Sequence, residues 1–340
     1  MRKSFVVVMI IAGMCVSLIQ KADAAGLCCQ LSSGVQESLS GVAAPGTDEL
    51  SLQFNYSFSK MDKFKEGSTT RSLDDLKADM KYTTLPVSMN MIKYTMTAGY
   101  GFSPKLKAFI SVPYIRNTMD MTMGMTMMGT TTWTQNTMAP VSGLGDMTAM
   151  ALYRLYTNRE IRPTDAVTLG LGVKAPTGSF TETNSKGKFI HAHMQPGTGS
   201  WDPLLSLIYT KIMNQFLIQA DATYQYATRN REGYEFGDST ALDLAGKYAV
   251  IKEFNVAAGL TYLFVGRASD KDGNYTNLTS LLDDPANTGG ESLWFSPEVQ
   301  ILPFRNGMID IKYQVPLWEK VNGVQLVTSH RLVLGVSYAF

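Results

Sequence analysis

The segment Met119-Asp120-Met121-Thr122-Met123-Gly124-Met125-Thr126-Met127-Met128 places a thioether at every second position. In an extended strand this period puts all of those sulfurs on one face. Soft thioether and imidazole donors suit Cu(I) or Ag(I), so the residues able to build such a site are Met119, Met121, Met123, Met125 and Met127, with Met89, Met91, His191, His193 and Met194. Methionine is equally a flexible apolar filler of promiscuous binding surfaces, which would make the same stripe an entrance for hydrophobic solutes. Both readings stay open on the sequence, as does a structural or interaction barrel that presents its loops without transport.

A second group of residues is charged and spaced to face a common interior: Lys93, Lys107, Arg154, Lys174, Lys247, Lys312 and Arg331 against Asp221, Asp243, Glu298 and Asp310. Their signs are mixed, so they form no single-sign ring able to select an ion by charge. The expectation is a partly occluding lattice of ion pairs.

Catalytic groupings are sparse. His330 follows Ser329, but strict alternation would put the two side chains on opposite faces, which a nucleophile and its base cannot use without a bulge. No glycine-rich nucleotide loop or spaced cysteine set occurs, so the expectation is that the chain is not an enzyme. Cys28 and Cys29 are adjacent, which excludes a disulfide framework.

These side chains must be positioned by strands. Leu50, Leu52, Phe54, Tyr56 and Phe58 alternate with Ser51, Gln53, Asn55, Ser57 and Ser59, and the pattern recurs at 92–102 and 106–114. Further strands are expected at 144–156, 165–176, 201–210, 215–228, 238–250, 254–265, 292–302, 308–317 and 328–340, about twelve in all. Alternate side chains meeting hydrocarbon and water would produce this wall. If the hairpin is centred near Pro104, Met89 faces residue 119 and Met91 faces residue 117, and parity points Met119 to Met127 inward.

Connection lengths alternate. Short ones fall near 103–105, 157–164, 211–214, 251–253 and 303–307. Long ones span 60–87, 116–143, 177–200, 266–291 and 318–327, with an intermediate one near 229–237. Short periplasmic turns and long external loops are the habit of an outer-membrane barrel, so the expected fold is an all-β, transmembrane antiparallel barrel.

The termini agree. Arg2 and Lys3 precede an apolar run from Phe5 to Ile19, and Ala22-Asp23-Ala24 supplies a cleavage site, so residues 1–24 are expected to be a cleaved signal peptide. Residues 25–48 would be a periplasmic or lumenal lead, and 49–340 the barrel. Leu332, Leu334, Val336, Tyr338 and Phe340 share one face and end on an aromatic carboxy-terminal residue. That resembles the terminal strand signal read by the barrel-assembly machinery of the bacterial outer membrane. Thirty basic and 29 acidic residues offer no electrostatic case for nucleic acid, leaving membrane lipid and a small solute as expected partners.

Several motifs resemble an outer-membrane family named after the meta-pathway of phenol degradation. They are Gly143-Leu144-Gly145-Asp146, Lys174-Ala175-Pro176-Thr177-Gly178, Pro196-Gly197-Thr198-Gly199-Ser200-Trp201-Asp202 and Gly233-Tyr234-Glu235-Phe236-Gly237-Asp238. The resemblance implies a barrel that passes aromatic or other small apolar solutes, and it carries over no site residues. Physically the motifs read as rim punctuation, with Asp146, Asp202 and Asp238 accepting hydrogen bonds from loop amides and Trp201 anchoring at the membrane interface.

Overall fold

The computed structural model describes residues 47–160 and 163–340. The expected signal peptide, almost all of the lead, and Cys28 and Cys29 lie outside the described residues. In chain order the elements are β1 (Leu50–Gly67), β2 (Thr69–Arg71), α1 (Leu73–Asp79), β3 (Thr84–Gly101), β4 (Leu106–Met127), β5 (Thr130–Thr137), β6 (Val141–Leu144), β7 (Met147–Thr157) and β8 (Asp165–Ala175). They continue as β9 (Asp202–Met213), β10 (Phe216–Gln225), β11 (Tyr234–Glu235), β12 (Ser239–Ile251), β13 (Phe254–Val265), β14 (Ser269–Asp270), β15 (Gly290–Phe304) and β16 (Gly307–Ala339).

The wall runs β1, β3, β4, β7, β8, β9, β10, β12, β13, β15, β16 and closes by pairing β16 back onto β1, from Ser51 opposite Ala339 to Gly67 opposite Val321. Every neighbour is antiparallel. A closed ring with only antiparallel neighbours needs an even number of passes, so one of these eleven elements must reverse. It is β16: Ala339 N–H donates to Asn306 O at 3.0 Å, and the rings of Tyr313 and His330 stack at 5.9 Å. The reversal falls at Asn322-Gly323, where Gly323 takes φ +57°. Twelve passes result, each edge paired, which is what a lipid environment without hydrogen-bonding solvent demands.

Outward side chains follow the alternation. Phe54, Met96, Ile110, Leu171, Leu244 and Val336 are exposed on the outer surface, whereas Ser57, Thr95, Ser111, Ser206 and Ser292 are buried inside. Aromatic pairs collect at the short-turn end: Tyr100 with Phe102, Phe216 with Tyr248, and Tyr338 with Phe340, with ring centroids 4.6–5.0 Å apart. Trp201, Tyr226 and Trp318 are exposed toward the other end. Two such girdles mark the interfaces of the hydrocarbon layer. Among the described residues no helix is long and apolar enough to cross a membrane; the strands do the crossing.

Four sequence expectations need correction, three of them about connections. First, 318–327 is not a long external loop but strand on both sides of the Asn322-Gly323 turn. Second, β1 runs on to Gly67 and β3 starts at Thr84, so the expected 60–87 loop shrinks to 68–83. Third, the 116–143 loop is mostly strand, with β4 extending to Met127 and β5 folding back on it. All three have one cause. Above the membrane the outer face meets water, as at Lys63 and Lys65, which pair with Val327 and Gln325, so the apolar alternation that reveals a strand is lost.

A bulge corrects the fourth. The pairing shifts between Lys60 opposite His330 and Met61 opposite Thr328, which leaves Ser329 bulged. Ser329 Oγ therefore lies 3.2 Å from His330 Nδ1 despite their adjacency. The hydroxyl donates to Lys60 O at 3.1 Å, and His330 is held between the rings of Phe58 and Tyr313 on the outer wall.

Candidate functional site

The bore divides into two halves. Its short-turn half holds a cavity of about 530 Å³. Of the charged residues expected to face the interior, Lys107, Arg154, Asp221, Asp243, Lys247, Glu298, Asp310 and Lys312 line it. Lys312 Nζ pairs with Glu298 at 3.1 Å, Gln300 Nε2 donates to Glu298 Oε1, Gln219 Nε2 donates to Asp221 at 3.3 Å, and Thr261 donates to Asp243. Pro104, Lys105 and Pro163 in the short turns belong to the same lining, so the cavity reaches the end of the barrel at which those turns lie.

The remaining three interior charges do not line the cavity. Lys93 and Arg331 are buried higher in the bore, and Arg331 Nε donates to Ser59 Oγ at 2.8 Å. Lys174 stands at the long-loop rim, where its Nζ meets Asp202 at 2.5 Å and Asp146 at 3.7 Å.

The long-loop half of the bore is filled. Met61 and Phe64 of β1, Leu85, Met89 and Met91 of β3, and Met119 and Met121 of β4 form one apolar cluster with Leu76 of α1, Tyr82, Ile190, Met194, Leu281, Val324 and Leu326. Six of its fourteen buried residues are methionines. The register puts Met89 opposite Met119 and Met91 opposite Asn117, so two strands deliver sulfur to one place. Asn117 Nδ2 donates to Met194 O at 3.1 Å, which ties the 176–201 loop to β4 and seats Met194 in the cluster.

Helix α1 is delivered by its own cap: Ser72 Oγ accepts from Asp75 N–H while the Asp75 carboxylate accepts from Ser72 N–H. That orients Leu76 inward. Tyr82 donates to Asp284 at 2.8 Å and accepts from Asn287 Nδ2 at 2.9 Å, joining the plug to the 266–289 loop.

The stripe itself is divided. Met119 and Met121 are buried at 2% exposure, but Met123, Met125 and Met127 stand at 50%, 67% and 68%. The inward orientation expected of these three fails because β4 and β5 run on as a hairpin past the rim, where Trp133 of β5 packs against the plug and the three thioethers are left exposed. His191 Nδ1 instead meets Asp283 Oδ1 at 2.5 Å, and His193 is buried, which pushes its pKa down to about 4 against the opposing pull of Asp283. The ten candidate ligands thus do not form one shell. Among the described residues no group of three His, Cys, Asp or Glu side chains is arranged to hold a metal.

Two features escaped the sequence reading. One is an aromatic knot in the loops, where Phe180 packs against Tyr234, Phe236 and Tyr275 at 4.7–5.7 Å and Phe189 stacks on Tyr275 at 4.9 Å. The cluster of aromatics in otherwise polar loops was its one available signal. The other is the convergence of three of the motifs at one point of the rim. Asp146 accepts from Gly178 N–H at 3.0 Å and Thr198 N–H at 2.7 Å, and Asp202 accepts from Thr228 N–H at 2.9 Å and Gln225 Nε2 at 3.0 Å. Gly178 and Gly197 touch so closely that a Cβ on Gly197 would lie 2.6 Å from the Gly178 carbonyl. The fourth motif contributes Asp238, which accepts from Ala227 N–H at 2.8 Å.

A closed antiparallel barrel with lipid-facing outer surface, short turns at one end, and a bore plugged beneath its loops is an outer-membrane β-barrel. The chain belongs to the family described as "Putative MetA-pathway of phenol degradation", whose pattern matches residues 113–325. Among solved structures it is similar to the COG4313 outer membrane channel from Pseudomonas putida F1, at 16% identity and a TM-score of 0.58, covering 88% of this chain and 97% of that one. A more distant likeness is to the toluene transporter TodX of P. putida, at 12% identity and a TM-score of 0.45, covering 88% and 92%. No curated protein sequence matches the chain.

Proposed function

We propose that this barrel is a passive outer-membrane channel for a small apolar or aromatic solute, which enters from outside through the methionine-rich plug and leaves through the cavity toward the periplasm. The observation that carries this reading is the composition of the plug. The barrier across the bore is an apolar cluster in which six of fourteen buried residues are methionine. Unbranched thioether side chains repack around the apolar body of a guest with little penalty, whether or not it carries a polar head, whereas a small hydrated ion has no apolar body to offset the solvent it would lose. A family description concerned with the breakdown of phenol agrees with an aromatic solute.

On this reading residues 1–24 direct export and are removed, residues 25–48 form a lead below or within the lumen, and the strand ending at Phe340 presents the chain to the barrel-assembly machinery. The protein acts without covalent chemistry: His330, packed between Phe58 and Tyr313, lies on the outer wall and away from the path of the solute. The test is uptake of radiolabelled toluene by cells whose outer membrane contains or lacks the protein. Faster initial uptake with the protein is expected; identical rates would overturn the proposal.

A further inference from the structure

The charges of the lower cavity look mixed along the sequence but are sorted around the ring. Counting the twelve passes from β1, Lys107 lies on the third (β4) and Arg154 on the fourth (β7). The passes six places away are β13 and β15. Asp221, Asp243, Glu298 and Asp310 sit on β10, β12, β15 and the first arm of β16, an arc centred on that opposite wall.

Two cations share the acidic arc, but Lys312 is bound to Glu298 at 3.1 Å, and Lys247 lies level with Glu298 across Ala257. The basic wall is not compensated in this way. Arg154 N–H donates to Lys105 O at 2.8 Å, so the two basic strands are held side by side at the mouth, and Arg154 acts electrostatically on Lys107. Among the described residues neither side chain is given an ion pair with a carboxylate, and Glu49 attracts Lys107 through space. Around the two cations the lining turns apolar, with Leu152 opposite Lys107 in the register, Phe109 two residues beyond Lys107, and Ile208 in the same lining.

We infer that Lys107 and Arg154 form a carboxylate subsite, and that the solute of this channel is a small aromatic or apolar acid whose anionic head lies on that pair and whose body lies against Phe109, Leu152 and Ile208. The inference rests on the channel reading above and names its substrate class. A bidentate guanidinium and an adjacent ammonium complement a carboxylate. The acidic wall opposite repels the same group, so the head is held on one side of the bore and faces the periplasmic exit. A neutral solute of the same shape would feel only the apolar part of the site.

Titration calorimetry of the full-length, detergent-folded protein with benzoate and its neutral isostere benzamide tests this. Benzoate is expected to bind about tenfold more tightly, the return on one charge-assisted pairing in a partly hydrated site. In Lys107→Met/Arg154→Met that preference should vanish while benzamide affinity stays the same. In Lys107→Arg/Arg154→Lys it should persist, which separates lost charge from lost fold. Equal affinity of the two compounds for the unaltered protein, or a preference that survives Lys107→Met/Arg154→Met, overturns the subsite and leaves the apolar channel standing. Binding of neither compound overturns both.

Discussion

Replacing Lys174 with methionine removes the one cation between two buried carboxylates. Asp202 is fully buried and Asp146 is at 5% side-chain exposure, with Lys174 Nζ 2.5 Å from the first and 3.7 Å from the second. Breaking a buried pair from one side costs about 3–5 kcal/mol, because the partner stays behind as an uncompensated charge. Here the carboxylates keep other donors: Gly178 N–H, Thr198 N–H and the Thr198 hydroxyl on Asp146, and Thr228 N–H and Gln225 Nε2 on Asp202. These hold the loss to the lower end, roughly 3 kcal/mol. Reversible urea unfolding in lipid vesicles, followed by tryptophan fluorescence, measures it. Lys174→Met/Asp202→Asn should recover about half, since the fully buried charge goes with its partner. A loss below about 1 kcal/mol for the single variant would refute the idea that this network latches the rim.

Other parts of the molecule make their own predictions. The imidazole of His193 is neutral in the fold, with its pKa at about 4 against an ordinary 6.5. Between those values the unfolded chain binds a proton that the folded one does not, so stability should fall as the pH drops through 6.5. The loss should be roughly 2 kcal/mol at pH 5 and level off near pH 4. Urea midpoints at pH 7 and 5 check this, and His193→Phe should flatten the difference. Gly197→Ala forces a Cβ to 2.6 Å from backbone that cannot yield, so it should lower stability by about 1–3 kcal/mol and expose the 176–201 loop to protease. Tyr82→Phe strips the hydroxyl shared by Asp284 and Asn287 and should cost about 1–3 kcal/mol, readable in the same unfolding assay.

What the sequence revealed follows the physics of each region. Inside the membrane the two faces of a strand meet different media, so Leu50 to Ser59 announce both strand and face, and the turn near Pro104 fixes Met89 opposite Met119. Above the membrane that contrast disappears, which is why the upper parts of β1, β3 and β4 and the reversal of β16 went unread. The Asn-Gly pair at 322–323 was the local sign of that reversal. The bulge at Ser329 depends on how β1 sits beside β16 and leaves no mark in the alternation. The plug was half legible: the stripe showed where sulfur gathers, but only tertiary packing divides Met119 and Met121 from Met123, Met125 and Met127. The sorted charges of the cavity needed the ring order, because residues on opposite walls are interleaved along the chain.

The central claim is that the barrier across this bore is the methionine-rich plug. Single-channel recording in planar bilayers, comparing the unaltered protein with Met119→Ala/Met121→Ala, addresses it directly. Both side chains are buried at 2% exposure in the cluster, and truncating them opens space where the bore is now filled. Small or rare current steps from the unaltered barrel, and larger, stable steps from the variant, are the predicted result. A variant that folds and inserts yet conducts no more than the parent would contradict the account.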